Sequence, residues 1–256
     1  MCGRFTLRTP PAVLIETFDL DTRGDRQMPL FEARYNIAPT QDILVIRSDS
    51  ASGQRAAAMM RWGLIPSWSN GQLAGAGAPL INARAETLAE KPTFRTAYRR
   101  RRCLIPSDGF YEWQQSSSGA RGKKQPYFIH RPDHKPFAFA GLWELWTHRP
   151  TDADTAPALK ARTTTDAEGL FTIESCTIVT TTANATLRDL HERMPVILAP
   201  GDYSAWLDPT TEDPAELQYL LAPCGDNELL AEPVDTHVNK VANDDARCVA
   251  VQRSLF

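Results

Sequence analysis

The 256-residue chain reads as a mixed α+β fold, sheet-rich, with only a few short helices. Three observations point there. Short apolar or aromatic runs bounded by polar residues recur along the chain, as buried strands require. Helical spacing is confined to brief stretches. Strands do not alternate regularly with long helices, which argues against a doubly wound α/β sheet. No internal repeat is apparent. One domain over residues 1–256 is expected.

The elements follow in order. Ala12 to Phe18 has helical spacing that places Val13, Leu14 and Phe18 on one face. Ile43-Leu44-Val45-Ile46 is a short apolar run, hence a buried strand, and Ala57 to Trp62 is another. Cys103-Leu104-Ile105 leads into the aromatic strand Gly109-Phe110-Tyr111-Glu112-Trp113. Ser116 to Gly122 is rich in Ser and Gly and predicts a hairpin tip. Tyr127-Phe128-Ile129 and Phe137 to Trp146 continue the sheet. Thr151 to Thr165, rich in Ala, Thr and Asp, reads as a surface insertion. Cys176 to Val179 is a strand, Leu187 to His191 closes a short helix, and Pro195 to Leu198 returns to a strand. Pro214 to Leu221 is helical, with Leu217, Leu220 and Leu221 on one side.

Composition excludes several classes. With 42% hydrophobic and 23% charged residues the chain is globular and long enough for a large core. Polar Arg4, Thr6, Arg8 and Thr9 break up the N-terminus, so no secretory signal is read there. No stretch approaches the ~20 apolar residues of a membrane span. The five cysteines, Cys2, Cys103, Cys176, Cys224 and Cys248, are scattered and form no CxxC pair. A reducing cytoplasm fits them best. The net charge of −3 leaves nucleic-acid binding to a local patch. Lys91 to Arg102 offers one, with six basic residues and no acidic one, although such a run also serves as a solvated face.

Four clusters could carry chemistry. Cys2 directly follows Met1, so removal of Met1 leaves a thiol and a free α-amine on adjacent carbons. The amine has a reference pKa of about 8, well below that of lysine. A 1,2-aminothiol attacks an acyl carbon through sulfur, or traps an aldehyde as an imine and then a thiazolidine. Ile81 to Thr87 groups Asn82, Arg84 and Glu86: Asn82 suits holding an amine or oxyanion, or capping a helix start, and Arg84 suits a phosphate. In Asp108 to Trp113, strand alternation turns Glu112 away from Tyr111 and Trp113, a setting suited to proton transfer or to an edge position. In Leu190 to Pro195, His191 is a proton carrier or a structural histidine; Pro195 stands where an HExxH zinc motif needs its second His. No metal or cofactor is expected.

Taken together, the motifs resemble the SRAP family, whose SOS response-associated peptidase domain proteins shield abasic sites in DNA. The resemblance runs through Cys2-Gly3-Arg4-Phe5, Arg34 to Pro39, Arg61 to Trp68, Asn82 to Thr87, Arg102 to Pro106 with Gly109 to Trp113, and His191 to Pro195. It implies a catalytic Cys2, Asn82, Glu112 and His191, and DNA contacts from Arg4, Trp68, Arg84 and Arg193. It implies covalent capture of an abasic deoxyribose by Cys2 in single-stranded or junction DNA, with accessory peptidase or lyase chemistry. Where some family members carry two Trp, this chain has only Trp68. A monomer with no protein partner is expected. The competing reading is an N-terminal-cysteine amidohydrolase or peptidase; a DNA-binding module with an incidental Cys2 is a third.

Overall fold

The computed structural model describes residues 2–23, 27–49, 52–69, 78–114, 124–148, 164–165 and 169–252. Their strands are β1 (Phe5–Leu7), β2 (Arg34–Ile37), β3 (Asp42–Ser48), β4 (Arg55–Trp62), β5 (Asn82–Arg84), β6 (Arg102–Ser107), β7 (Gly109–Gln114), β8 (Gln125–His130), β9 (Phe137–His148), β10 (Thr164–Thr165), β11 (Phe171–Thr182), β12 (Arg193–Pro195), β13 (Ile197–Leu198) and β14 (Leu230–Pro233). Short helices α1 (Pro11–Phe18), α2 (Pro92–Arg100) and α3 (Tyr203–Leu207) lie between them, with several 3-10 turns.

Two sheets form. The smaller is antiparallel in the order β14-β8-β7-β1-β2. The larger runs β10-β11-β4-β3-β6-β9-β13. Because β9 also pairs with β11 from Phe171↔His148 to Ile178↔Gly141, the strands β11, β4, β3, β6 and β9 close into a ring. The closure leaves those strands without an open edge to template aggregation. β11 is the hub: it runs parallel to β4 and β5 and antiparallel to β9, β10 and β12.

The N-terminal strand is held on both sides. Phe5 sits opposite Ile37 of β2 and Phe110 of β7. Its ring meets Trp62 edge-on at 5.2 Å and Phe139 at 5.9 Å, which ties the small sheet to the ring. Full burial of such a side chain is worth about 2 kcal/mol. Past β1, the buried carboxylate of Asp108 accepts from the Arg8 and Thr9 backbone N–H groups and the Thr9 hydroxyl.

Several expectations change. Val13 is 43% exposed, and α1 buries Leu14 and Phe18 instead. Leu187 to His191 is not helical: Asn184 starts a succession of turns, its side chain accepting from Leu187 N–H at 3.2 Å, before the chain enters β12. Pro214–Leu221 is a 3-10 helix, still burying Leu217, Leu220 and Leu221. The strand over Pro195 to Leu198 splits at Val196, whose N–H donates to Val179 and whose carbonyl accepts from Ala140. The proposed hairpin tip at 116–122 lies outside the described residues. So does most of 151–165, of which Thr164–Thr165 pairs with β11. Among the described residues no helix is long and apolar enough to cross a membrane.

Candidate functional site

Cys2 lies three residues before Phe5, so the anchoring of β1 fixes its position. Its side chain is fully buried, with Sγ 3.8 Å from the Arg4 carbonyl oxygen. Burial pushes the thiol pKa well above its usual value, and the Glu112 carboxylate pushes it further.

Three other groups surround the start of the chain. Asn82 opens β5, in register with Ile178 of β11, and its Nδ2 donates to the Cys2 carbonyl at 2.9 Å. Its Oδ1 is buried and accepts no hydrogen bond from the described residues, so it is an acceptor available beside residue 2. Glu112 is buried on the face of β7 opposite Tyr111 and Trp113, which pack into a separate apolar cluster with Val238 and Cys248. The alternation that places it there is the one the sequence implied. His191 is half-buried, and its Nδ1 accepts the Arg193 backbone N–H at 2.9 Å. An accepting nitrogen carries no proton, so the neutral ring holds its proton on Nε2.

Glu112 and His191 face a cleft of about 1020 Å³. Gly3, Arg4, Trp113, Lys124, Asn239 and residues 188–192 line it. Lys124 and Arg188 carried no sequence signal, because neither belongs to a motif and the pairing of distant loops brings them to one opening.

The four residues read as DNA contacts are placed very differently. Trp68 is 66% exposed in a turn steadied by the Trp146 indole, which donates to the Ser69 carbonyl at 2.8 Å. Arg84 is exposed at the end of β5. Arg4 is half-buried; its Nη1 donates to Asn36 Oδ1 at 2.8 Å and the Val238 carbonyl at 3.0 Å, and its guanidinium lies 5.8 Å from the Trp113 ring. Arg193 is buried in a bidentate pair with Glu86, both contacts at 3.0 Å, and also donates to the Thr180 carbonyl. Arg4 thus borders the cleft, whereas Trp68, Arg84 and Arg193 do not line it.

Half of the basic run of Lys91 to Arg102 is engaged in structure. Arg102 is buried and donates to the carbonyls of Tyr98, Arg99, Trp206 and Asp208. Arg101 pairs with buried Glu144, and Arg100 with Glu212. Lys91, Arg95 and Arg99 stay exposed on α2 and its approach. His237, Asp245 and Cys248 bring donor atoms within 4.8 Å of one another. The His237 ring, however, is already engaged by Asp245 on Nε2 and by Asn243 on Nδ1, and the cluster reads as a lock on the C-terminal segment.

Residues 1–241 match the family described as SOS response associated peptidase (SRAP). The abasic site processing protein YoaM of Bacillus subtilis is 36% identical, with 100% of each chain covered. The abasic site processing protein HMCES of Xenopus tropicalis is 30% identical, covering 98% of this chain and 78% of its own. A crystal structure of a protein from Bacteroides thetaiotaomicron superposes with a TM-score of 0.74 at 26% identity, covering 99% of this chain and 100% of that one.

Proposed function

The chain belongs to the SRAP family, and from that premise we propose that it processes abasic sites in DNA by capturing them covalently on Cys2. The observation that carries the reading is the hydrogen bond from Asn82 to the Cys2 carbonyl, which fixes residue 2 next to Gly3 and Arg4 of the cleft that Glu112 and His191 line.

The chemistry follows in order. An abasic deoxyribose is mostly a closed hemiacetal. Nε2–H of His191 gives its proton to the ring oxygen as the C1′–O bond breaks, and the proton lost by the anomeric hydroxyl passes to Nε2, so the ring opens to the aldehyde and the imidazole is restored. After removal of Met1, the Cys2 amine adds to C1′. Glu112 takes a proton from the nitrogen and returns one to the departing hydroxyl, so water leaves and an imine remains. Asn82 Oδ1 accepts from the amine and keeps it in line. The thiol then adds across the C=N bond, sulfur to carbon and proton to nitrogen, closing a thiazolidine. That carbon becomes sp³, so the C2′ proton is no longer acidified and the strand is not cut by β-elimination.

Burial sets the order of the two nucleophiles. The thiol is held protonated while the amine attacks.

The test is denaturing electrophoresis with intact mass, after incubation with single-stranded DNA containing one abasic site. The expected product is heat-stable, weighs protein plus DNA minus one water, and is absent for Cys2→Ala and for undamaged DNA. No adduct from protein shown to lack Met1 would overturn the proposal.

A further inference from the structure

We infer that Lys124 and Arg188 form a two-point phosphate subsite across the mouth of the cleft, gripping the strand next to the lesion. The inference rests on the abasic-site reading and assigns a contact that its sequence motifs do not contain.

Two of the arginines offered as clamps are already occupied. Arg193 has its charge neutralised bidentately by Glu86, and Arg4 spends Nη1 on Asn36 and the Val238 carbonyl. Lys124 and Arg188 differ. Both are exposed, both line the cleft, and neither makes an ion pair with any described residue. Lys124 lies at the approach to β8 and Arg188 in the turns that deliver His191, so two separate segments bring them to the one cleft.

The rest of the lining shows how such a pair works. Arg4, Lys124 and Arg188 are offset by Glu112, Asp189 and Glu192, so the cleft carries no blanket positive potential. A uniformly basic groove holds any nucleic acid in any register. A balanced one holds a strand only where its phosphates meet the unneutralised cations, while Asp189 and Glu192 repel it elsewhere. Gly3, the neighbour of Cys2, lines the same cleft, so a strand held by the two cations brings its sugar to the Cys2 end of the chain. The subsite thus sets register and leaves the bond-making to Cys2, Asn82, Glu112 and His191.

The test compares Met1-free wild type with the Lys124→Ala/Arg188→Ala double variant on one abasic single-stranded oligonucleotide over a range of salt. A Cys2→Ala background gives equilibrium affinity, and the Cys2 proteins give the crosslinking rate at saturating DNA. Each lost phosphate contact on single-stranded DNA removes about 0.7 from the slope of log K against log salt, so the double variant should lose roughly 1.4 in slope and about 10- to 30-fold in affinity near 0.1 M salt. Its saturated crosslinking rate should fall as well, because strands bound out of register do not present the lesion to Cys2, and Lys124→Arg/Arg188→Lys should keep the slope. An unchanged slope and affinity, with wild type still crosslinking, overturns the subsite. A wild type that forms no adduct overturns the abasic-site reading itself.

Discussion

Cys2 and Glu112 form a coupled pair whose behaviour can be read with pH. Burial and then the Glu112 charge raise the thiol pKa, so removing that charge must lower it. In Glu112→Gln the pH dependence of ring closure should move to lower pH, while imine formation slows because the proton carrier is gone. Borohydride, which traps imine and not thiazolidine, separates the two steps; an unmoved closure profile would count against the coupling. Asn82→Ala should slow crosslinking by roughly 10² through lost alignment, with Cys2 still present by mass. These residues were legible in the sequence because the motifs Cys2-Gly3-Arg4-Phe5, Asn82 to Glu86, Asp108 to Trp113 and His191 to Pro195 keep them in local context. The engagement of Arg193 was not. Its pair with Glu86 depends on β5 and β12 both meeting β11, a pairing that no local pattern reveals.

β7 owes its placement to a glycine at its first residue. A Cβ on Gly109 would come within 2.6 Å of the Ile129 carbonyl oxygen and 2.5 Å of the Phe128 ring, and backbone cannot yield as a flexible side chain can. Gly109→Ala should cost about 1–3 kcal/mol, seen as a lower denaturant midpoint, and should slow crosslinking because Glu112 lies on the same strand. Long elements such as β3, β4, β9 and β11 announce themselves by apolar runs. Short ones do not: β1, β2, β5 and β14 have three or four residues each, and their pairing partners rather than their own composition make them strands. The turns before His191 looked helical because their spacing is helical. Asn184 and the entry into β12 override that local preference.

The Glu86–Arg193 pair ties β12 to the turn after β5, and both strands pair with the same stretch of β11, so it bears on the stability of the molecule as well as on the site. The hydrogen bond and charge of Arg193, helped by Arg84, outweigh desolvation and hold the Glu86 carboxyl below its usual range. A depressed acid contributes stability above its unfolded pKa and loses it as pH falls through the folded one. Glu86→Gln should therefore be less stable than wild type near neutral pH, and the gap should close in acid, below the ordinary carboxylate range. With Glu86 half exposed, solvent screening limits the effect to about 1 kcal/mol, measurable by chemical denaturation across pH.

The central place of β11 also bears on synthesis. β4 and β5, which carry Trp62 and Asn82, leave the ribosome well before the strand they pair with in parallel. At about 5–20 residues per second, the roughly ninety residues between β5 and β11 take several seconds to add. Through that interval Asn82 has no strand to hold it against Cys2, and His191 has not yet been made. On the proposed chemistry, a nascent chain thus carries its aminothiol without the groups that would turn it on a lesion, and reactivity waits until translation is nearly done.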